Sequence, residues 1–299
     1  MMKVFDCLVA GETNVDLLLD TKSELEFGKE KLAERMSLVL GGSSSITAFN
    51  LARLGASVRF VSVVGTDSFG RFIEERLEAA GVDLSAMRRS KKAATGLTMW
   101  LSRRGRRAGL TYAGTISMLR ESDIRAEHLR LARHLHVGHY FLLKNFHGGA
   151  PAVFARARRM GLSTSLDCNY DPAEQWESGI WDVLRYTDVF LPNEEEALRL
   201  TGSGDCEKAA EKLAQFAGTV VVKLGRRGAL AMARGQTFRV PAKRVRVVDT
   251  TGAGDSFNAG FLSRFLRGAS LRECVEAGIS SAAKCVQQAG GTAAFEARR

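Results

Sequence analysis

No stretch of this 299-residue chain approaches the roughly 18 uninterrupted apolar residues of a membrane-crossing helix, so no membrane partner is expected. The apolar run at 4–10 reads as a strand and begins too early to leave room for a signal peptide, which points to a cytoplasmic protein. The five cysteines, Cys7, Cys168, Cys206, Cys274 and Cys285, are odd in number and include no C-x-x-C pair. Neither a disulfide framework nor a zinc site follows from such spacing, and the cysteines read as packing residues. A formal net charge of +10 raises nucleic-acid binding, with Arg103-Arg104-Gly105-Arg106-Arg107 and the Arg156, Arg158, Arg159 cluster as its best support. Against it, arginine is spread along the whole chain, no helix-turn-helix, zinc or RRM-type pattern accompanies it, and aromatics are not interleaved with the basic runs. The expectation is no nucleic-acid partner, and a surface that attracts anionic small molecules such as a nucleotide.

What the chain does contain is a regular alternation of strand and helix. Residues 44–54 read as a helix closed by Gly55, 58–64 as a strand, and 68–80 as a helix with Phe69, Phe72, Ile73 and Leu77 on one face, stopped by Gly81. Later, Pro151 opens a helix ended by Gly161, 162–166 is a strand, Asp205 caps a helix running to Ala217, and 219–224 is a strand. The pattern predicts an α/β protein of three layers, α/β/α, with a mainly parallel central sheet. With 45% hydrophobic residues it can bury a large core, and one domain over residues 1–299 is expected. Residues 95–101 and 108–113 break the alternation and read as a β-hairpin with Gly105 in its turn.

The densest chemistry lies at Asp249-Thr-Thr-Gly-Ala-Gly-Asp255. Residues 245–248 read as a strand, while Phe257, Phe261, Leu262 and Phe265 repeat at helical spacing, so the seven residues stand at a strand-to-helix junction. The first backbone N–H groups of a helix lack internal partners and carry the positive end of its dipole; Gly252, Ala253 and Gly254 can therefore face an anion closely. Asp255 is then placed to take a proton from an attacking hydroxyl while the turn meets charge on a transferred phosphoryl. Alone, Gly-Ala-Gly-Asp is equally compatible with a loop and an N-capping aspartate; the flanking residues change that balance.

Asp249-Thr-Thr-Gly-Ala-Gly-Asp-Ser-Phe-Asn-Ala-Gly-Phe-Leu262 resembles the second signature of the ribokinase-like (PfkB) carbohydrate kinases. Gly41-Gly42-Ser-Ser-Ser-Ile-Thr-Ala-Phe-Asn-Leu-Ala-Arg-Leu-Gly55, followed by 58–64 and Gly65-Thr-Asp-Ser-Phe-Gly70, resembles the first. Gly11-Glu-Thr-Asn14-Val-Asp16, Leu166-Asp-Cys-Asn169, Leu191-Pro-Asn193-Glu-Glu-Glu196 and Val222-Lys-Leu-Gly225-Arg-Arg-Gly228 fall in family order, so the resemblance covers essentially the whole chain. It implies a ribokinase-like fold with a small β-sheet lid, at about 14–40 and 95–115, which excludes water from the activated phosphoryl. It also implies ATP and Mg²⁺ as cofactors, and a homodimer formed through the outer lid face. No Walker A sequence is present, in keeping with a family that cradles phosphate at the Gly252 turn.

Residue by residue, the resemblance assigns sugar binding to Asn14 and Asp16, an amide and a carboxylate suited to vicinal hydroxyls, and to the backbone turn of Gly41 and Gly42. Ribokinases tend to show Lys and Asn in the next four residues; here stand Ser43, Ser44, Ser45 and Ile46, which points away from ribose itself and leaves Ser45 as a sugar contact. His139 falls where family members place a residue against the substrate, its alternative being a packed strand-end histidine. Asn169 belongs to Asp167-Cys-Asn169-Tyr-Asp171, similar to the Asp-x-Asn-x-Arg motif of 2-keto-3-deoxygluconate and fructose-type kinases, with Asp171 in place of the arginine. That substitution suits an acidic or phosphorylated substrate less well. For the nucleotide, Asn193 and Glu196 match the Asn-x-x-Glu that acts near Mg²⁺ through its waters. Lys223, Gly225, Gly228 and Gly254 match the path of ATP, and Ile279 implies apolar packing on the base with modest base selectivity. The carbonyls of Asp249 and Thr251 are candidates to hold a monovalent cation such as K⁺. The expected activity is ATP-dependent phosphorylation of a hydroxyl, primary by expectation, of a small neutral sugar, with Asp255 as general base and 252–255 as anion hole. The alternatives are a nucleoside kinase of the same fold and a non-catalytic sugar-binding regulator.

Overall fold

A computed structural model describes residues 4–103 and 106–296. The chain opens with strands β1 (Phe5–Ala10), β2 (Asn14–Asp20) and β3 (Arg35–Gly41), then helix α1 (Ser43–Arg53). Strands β4 (Val58–Val61) and β5 (Val63–Gly65), helix α2 (Ser68–Ala79) and strand β6 (Arg88–Ser90) lead to a hairpin of β7 (Gly96–Arg103) and β8 (Arg106–Tyr112). Alternation resumes with α3 (Ala126–Arg130), β9 (Ala132–Val137), α4 (Ala150–Arg159), β10 (Ser163–Leu166), α5 (Ile180–Leu184) and β11 (Val189–Phe190). Helices α6 (Glu194–Thr201) and α7 (Cys206–Ala214), strands β12 (Thr219–Lys223), β13 (Ala229–Ala233) and β14 (Gln236–Val240), and helices α8 (Ala253–Phe265) and α9 (Leu271–Cys285) complete the order.

Eight strands form one sheet in the order β14-β13-β12-β11-β10-β9-β1-β4, parallel from β12 to β4, with β13 and β14 antiparallel at one edge. Because successive side chains point to opposite faces, Leu8 and Ala10 of β1 join one core with Leu135, Phe154 and Leu213, while Cys7 and Val9 join the other with Phe60, Phe261 and Ile279. Both faces are therefore covered by helices, as three layers require. All five cysteines are free and buried, in agreement with a packing role. Helix starts follow side-chain chemistry: Asp67, Asn193, Asp205 and Ser270 each accept a backbone N–H of the first turn.

Two sequence-based expectations change. The run at 58–64 is two strands, since buried Ser62 turns its hydroxyl to the Gly11 carbonyl at 2.7 Å and β5 leaves the main sheet to pair with β6. Residues 245–248 are not a strand: Val247 and Val248 are exposed, and the valines at 245 and 247 line a cavity in front of α8. Alternating valines signalled a half-buried surface, and that surface borders a cavity instead of a sheet. The turn of the β7–β8 hairpin, with Gly105, lies outside the described residues.

The second sheet has the order β3-β2-β7-β8 and begins where β1 ends. Its register aligns Leu38, Leu17, Met99 and Leu110 in one row and Met36, Leu19, Leu101 and Ala108 in the next, giving an apolar face. The alternate positions put Asp16 beside Thr98, and Thr98 beside Thr111, on the other face. Strand periodicity thus gives this small sheet one polar side, and Asn14 and Asp16 stand at its inner end.

Candidate active site

The turn before α8 is built by two constraints. Gly252 sits at φ 70°, a left-handed conformation that favours glycine, and a Cβ there would collide with the Cα of Gly291. The Ala253 N–H turns back to the Thr250 carbonyl at 3.2 Å, so of the three turn residues expected to face an anion, Ala253 is already engaged. The N–H groups of Gly254 and Asp255 have no acceptor among the described residues and lie at the positive end of a 13-residue helix.

Asp255 follows in the same turn. One of its oxygens, Oδ1, accepts the hydroxyl of Ser43, and Ser43 Oγ accepts Asn169 Nδ2 at 2.7 Å. Burial pushes the Asp255 carboxyl up to about 7; the Ser43 hydrogen bond opposes the rise, Asp167 and Glu12 add to it, and Lys223 works against it. A carboxyl poised near neutrality in a cleft is what proton abstraction at physiological pH needs.

A buried polar cluster, Asn14, Asp16 and Thr98, lies at the inner end of the small sheet, next to the Gly41–Gly42 turn that leads to Ser43. Asn14 Nδ2 donates to Asp16 Oδ1 at 2.8 Å and to Thr98 Oγ1 at 3.2 Å, fixing the pair at the inner end of the small sheet. A side chain on Gly41 would strike the Asp16 carboxylate, and one on Gly42 would meet Thr13 and Ser45. Ser45 is fully buried and its hydroxyl donates to the carbonyls of Gly41 and Gly42, so it closes that turn and leaves Ser43 as the serine facing Asp255.

His139 and Asn169 end the adjacent strands β9 and β10 in left-handed conformations, φ 52° and 53°, which a non-glycine residue adopts at a cost of about 1–3 kcal/mol. His139 Nδ1 lies 3.0 Å from Glu12 Oε1, and the other Glu12 oxygen accepts Ser44 Oγ at 2.6 Å. Burial would lower the His139 pKa, but the Glu12 carboxylate, with Asp255 and Asp167 further off, raises it above the usual histidine value. Asp171 is elsewhere: it accepts the N–H groups of Ala173, Gln175 and Trp176 and shapes its own loop.

A cavity of about 470 Å³ brings together Lys223, Gly225, Gly228 and Gly254, which the sequence pointed to as the path of ATP, with apolar Val247, Ile279 and Val286 and basic Arg226, Lys243 and Arg244. Lys223 Nζ donates to Asp167 Oδ2 at 2.8 Å and approaches Asn258 Oδ1 at 3.4 Å. Burial alone would lower the Lys223 pKa, yet the charges of Asp167 and Glu196 raise it; burial alone would raise Asp167, yet Lys223 and Asn258 hold it below the usual carboxylate range. The pair is thus ionised. Gly228 is required by the fold, since its φ of 92° favours glycine and a side chain there would run into the carbonyl of Val240.

Asn193 and Glu196 form a capping box at the start of α6: Asn193 Oδ1 accepts the Glu196 N–H at 2.9 Å and Glu196 Oε2 accepts the Asn193 N–H at 2.8 Å. Oxygens of Glu196 and Asp167 and the sulfur of Cys168 lie within 4.8 Å of one another. A carboxylate offers about four lone-pair positions, so Glu196 retains capacity for waters. Paired carboxylates fit a hard cation that keeps several waters, whereas the soft sulfur of Cys168 is a ligand that such a cation disfavours. Asp249 accepts Thr251 N–H at 3.0 Å and Gly290 N–H at 2.9 Å, tying the loop whose Asp249 and Thr251 carbonyls were expected to face a monovalent cation to the segment at Gly290.

Sequence reasoning missed Glu12, Ser43, Asp167 and Asn258 as members of the site. Each lies within or beside a motif already singled out: Glu12 two residues before Asn14, Ser43 after the glycine pair, Asp167 two before Asn169, and Asn258 one helical turn beyond Asp255.

A family profile described as pfkB family carbohydrate kinase matches residues 4–298. An uncharacterized sugar kinase of Archaeoglobus fulgidus is 31% identical over 245 residues, covering 80% of this chain and 95% of its own. The 2-dehydro-3-deoxygluconokinase of Bacillus subtilis is 31% identical over 291 residues, with 89% and 86% covered. The solved structure of Arabidopsis thaliana ribokinase complexed with ribose and ATP superposes with a TM-score of 0.84 at 24% identity, covering 97% of this chain and 95% of that one.

Proposed function

Because the chain belongs to the pfkB family of carbohydrate kinases, and so phosphorylates sugars with ATP, we propose that it acts on a primary hydroxyl of a small neutral sugar with Asp255 as general base. The observation that carries this reading is the position of Asp255: it shares the first turn of α8 with unpaired N–H donors, carries a pKa near 7, and touches Ser43 and, through it, Asn169. Asn14, Asp16, His139, Asn169 and the Gly41–Gly42 turn hold the sugar. Four carboxyl groups, Glu12, Asp16, Asp167 and Asp255, against Lys223 and His139 favour a neutral polyol over a sugar acid.

ATP lies in the cleft between Lys223 and Ile279, its base on apolar walls and its phosphates toward Gly225, Gly228 and Gly254. Asp255 takes the proton of the attacking hydroxyl as the new oxygen–phosphorus bond forms, and the N–H groups of Gly254 and Asp255 meet the charge of the phosphoryl in transit. Glu196 and Asn193, with Asp167 nearby, hold Mg²⁺ through its waters; the ion when bound neutralises phosphate charge. The carbonyls of the loop carrying Asp249 and Thr251 hold a monovalent cation, and the small sheet closes over the sugar as a lid within one domain. Its outer face, where Met36, Leu38, Leu110 and Tyr112 are exposed, joins two copies as a homodimer. Among the described residues no helix is long and apolar enough to cross a membrane, and a cytoplasmic enzyme has direct access to ATP.

The test is ATP consumption with Mg²⁺, with and without K⁺, across free sugars, sugar acids, sugar phosphates and nucleosides. One neutral sugar outrunning the rest is the expected result. A sugar acid or a nucleoside in first place overturns the substrate class.

A further inference from the structure

Lys223 stands between the nucleotide cleft and the base. Besides its contacts at 2.8 Å to Asp167 and 3.4 Å to Asn258, its Nζ lies 3.5 Å from where a Cβ on Gly254 would sit. An ammonium has three protons; Asp167 and Asn258 account for two, and no third acceptor exists among the described residues. Its side chain is 12% exposed, and what exposure remains opens on the cleft. The partners that hold it are themselves buried, with Asp167 1% and Asn258 0% exposed. A rigidly held cation with one spare proton thus lies against the same helical turn that carries Asp255.

We propose that Lys223 is a catalytic residue that stabilises the charge of the γ-phosphoryl during transfer, more than it anchors the nucleotide at rest. The inference rests on the kinase reading above. In the step, the acceptor oxygen forms its bond to γ-phosphorus and the bond to the β,γ-bridging oxygen breaks. That oxygen leaves on ADP with the electron pair, the hydroxyl proton passes to Asp255, and Lys223 transfers no proton. Its pairing with Asp167 damps its long-range pull on any anion, so its effect is confined to charge that arrives within contact. A donor fixed in advance for charge that develops in transit is the arrangement that lowers a barrier without tightening the ground state.

The experiment is Lys223→Met, measured for kcat, for KM of ATP, and for MgADP affinity by calorimetry with and without aluminium fluoride, in the presence of the sugar found by the panel. The expected result is a kcat about 100- to 1,000-fold lower, with KM for ATP and the MgADP affinity within about threefold and the tightening by aluminium fluoride lost. A raised KM and weaker MgADP binding at unchanged kcat would make Lys223 a ground-state anchor and overturn the proposal. Methionine leaves Asp167 buried without its cation, so Asp167→Asn and the double variant are measured alongside, with folding checked by circular dichroism. If the double variant regains wild-type kcat, Lys223 only offsets Asp167 and the proposal fails. Absence of sugar-dependent turnover in the wild-type protein would sink the kinase reading itself, which the variant comparison cannot do.

Discussion

Replacing Asp255 by asparagine should abolish proton abstraction and at the same time make the protein more stable. Moving a carboxyl from 3.8 to about 7 corresponds to on the order of 4 kcal/mol of penalty on the folded, ionised form. Asp255 is only half-buried, and cleft water screens part of that cost, so about 1–2 kcal/mol is the working expectation. The sign follows from the raised value. Stability from the protonated form is fully present below the unfolded pKa of 3.8 and is lost as pH rises through about 7. Asparagine never ionises, so its advantage is nil near pH 4, grows through the interval and levels off above 7. The same group sets the rate, because only ionised Asp255 accepts a proton: wild-type kcat/KM should climb about tenfold per pH unit below 7 and flatten above it. The variant should lose about 100- to 10,000-fold and with it the pH limb. Thermal melts at pH 5 and pH 8 alongside steady-state rates measure both effects. A variant no more stable at pH 8 than the wild type, or one that keeps the acid limb of the profile, would refute the assignment of a strained, ionisable base at 255.

Gly252→Ala forces a Cβ into a left-handed position against Gly291; it should cost about 1–2 kcal/mol or more from the backbone alone, lower the melting temperature and reduce kcat as the turn shifts. Glu12→Gln removes the charge that holds the His139 pKa up, so the histidine resonances should titrate at lower pH while the KM for sugar rises; an unmoved titration would mean that Glu12 does not govern His139. Apolar Val247, Ile279 and Val286 line the cleft in which the base is proposed to lie, so GTP should support turnover within about tenfold of ATP. A preference of 1,000-fold or more would mean that a polar lining residue such as Arg226, Lys243 or Arg244 reads the base, and would refute the apolar reading.

Much of the fold was legible because its signals are local. Glycines at 55, 81 and 161 stop helices, Asp67, Asn193 and Asp205 start them, and apolar runs of four to six residues mark buried parallel strands. The exceptions have a common cause. Residues 245–248 and 58–64 carry valine and alternation, which register burial of some kind but not against what. One run borders a cavity, and the other bends where Ser62 reaches the backbone of Gly11.

The sequence by itself determined the family, the three-layer architecture, the Gly252 turn and the position of Asp255 within it, because these depend on residue type and near neighbours along the chain. It could not decide which polar groups meet across the strand ends. Ser43 and Asp255 are 212 positions apart, Glu12 and His139 127, and Lys223 and Asp167 56. These contacts exist because parallel strands deliver their carboxyl ends to one edge, and only the folded chain fixes how far each side chain reaches there. The pKa of Asp255 and the charge state of the Lys223–Asp167 pair come from burial and distance, and neither quantity is defined until the chain has folded.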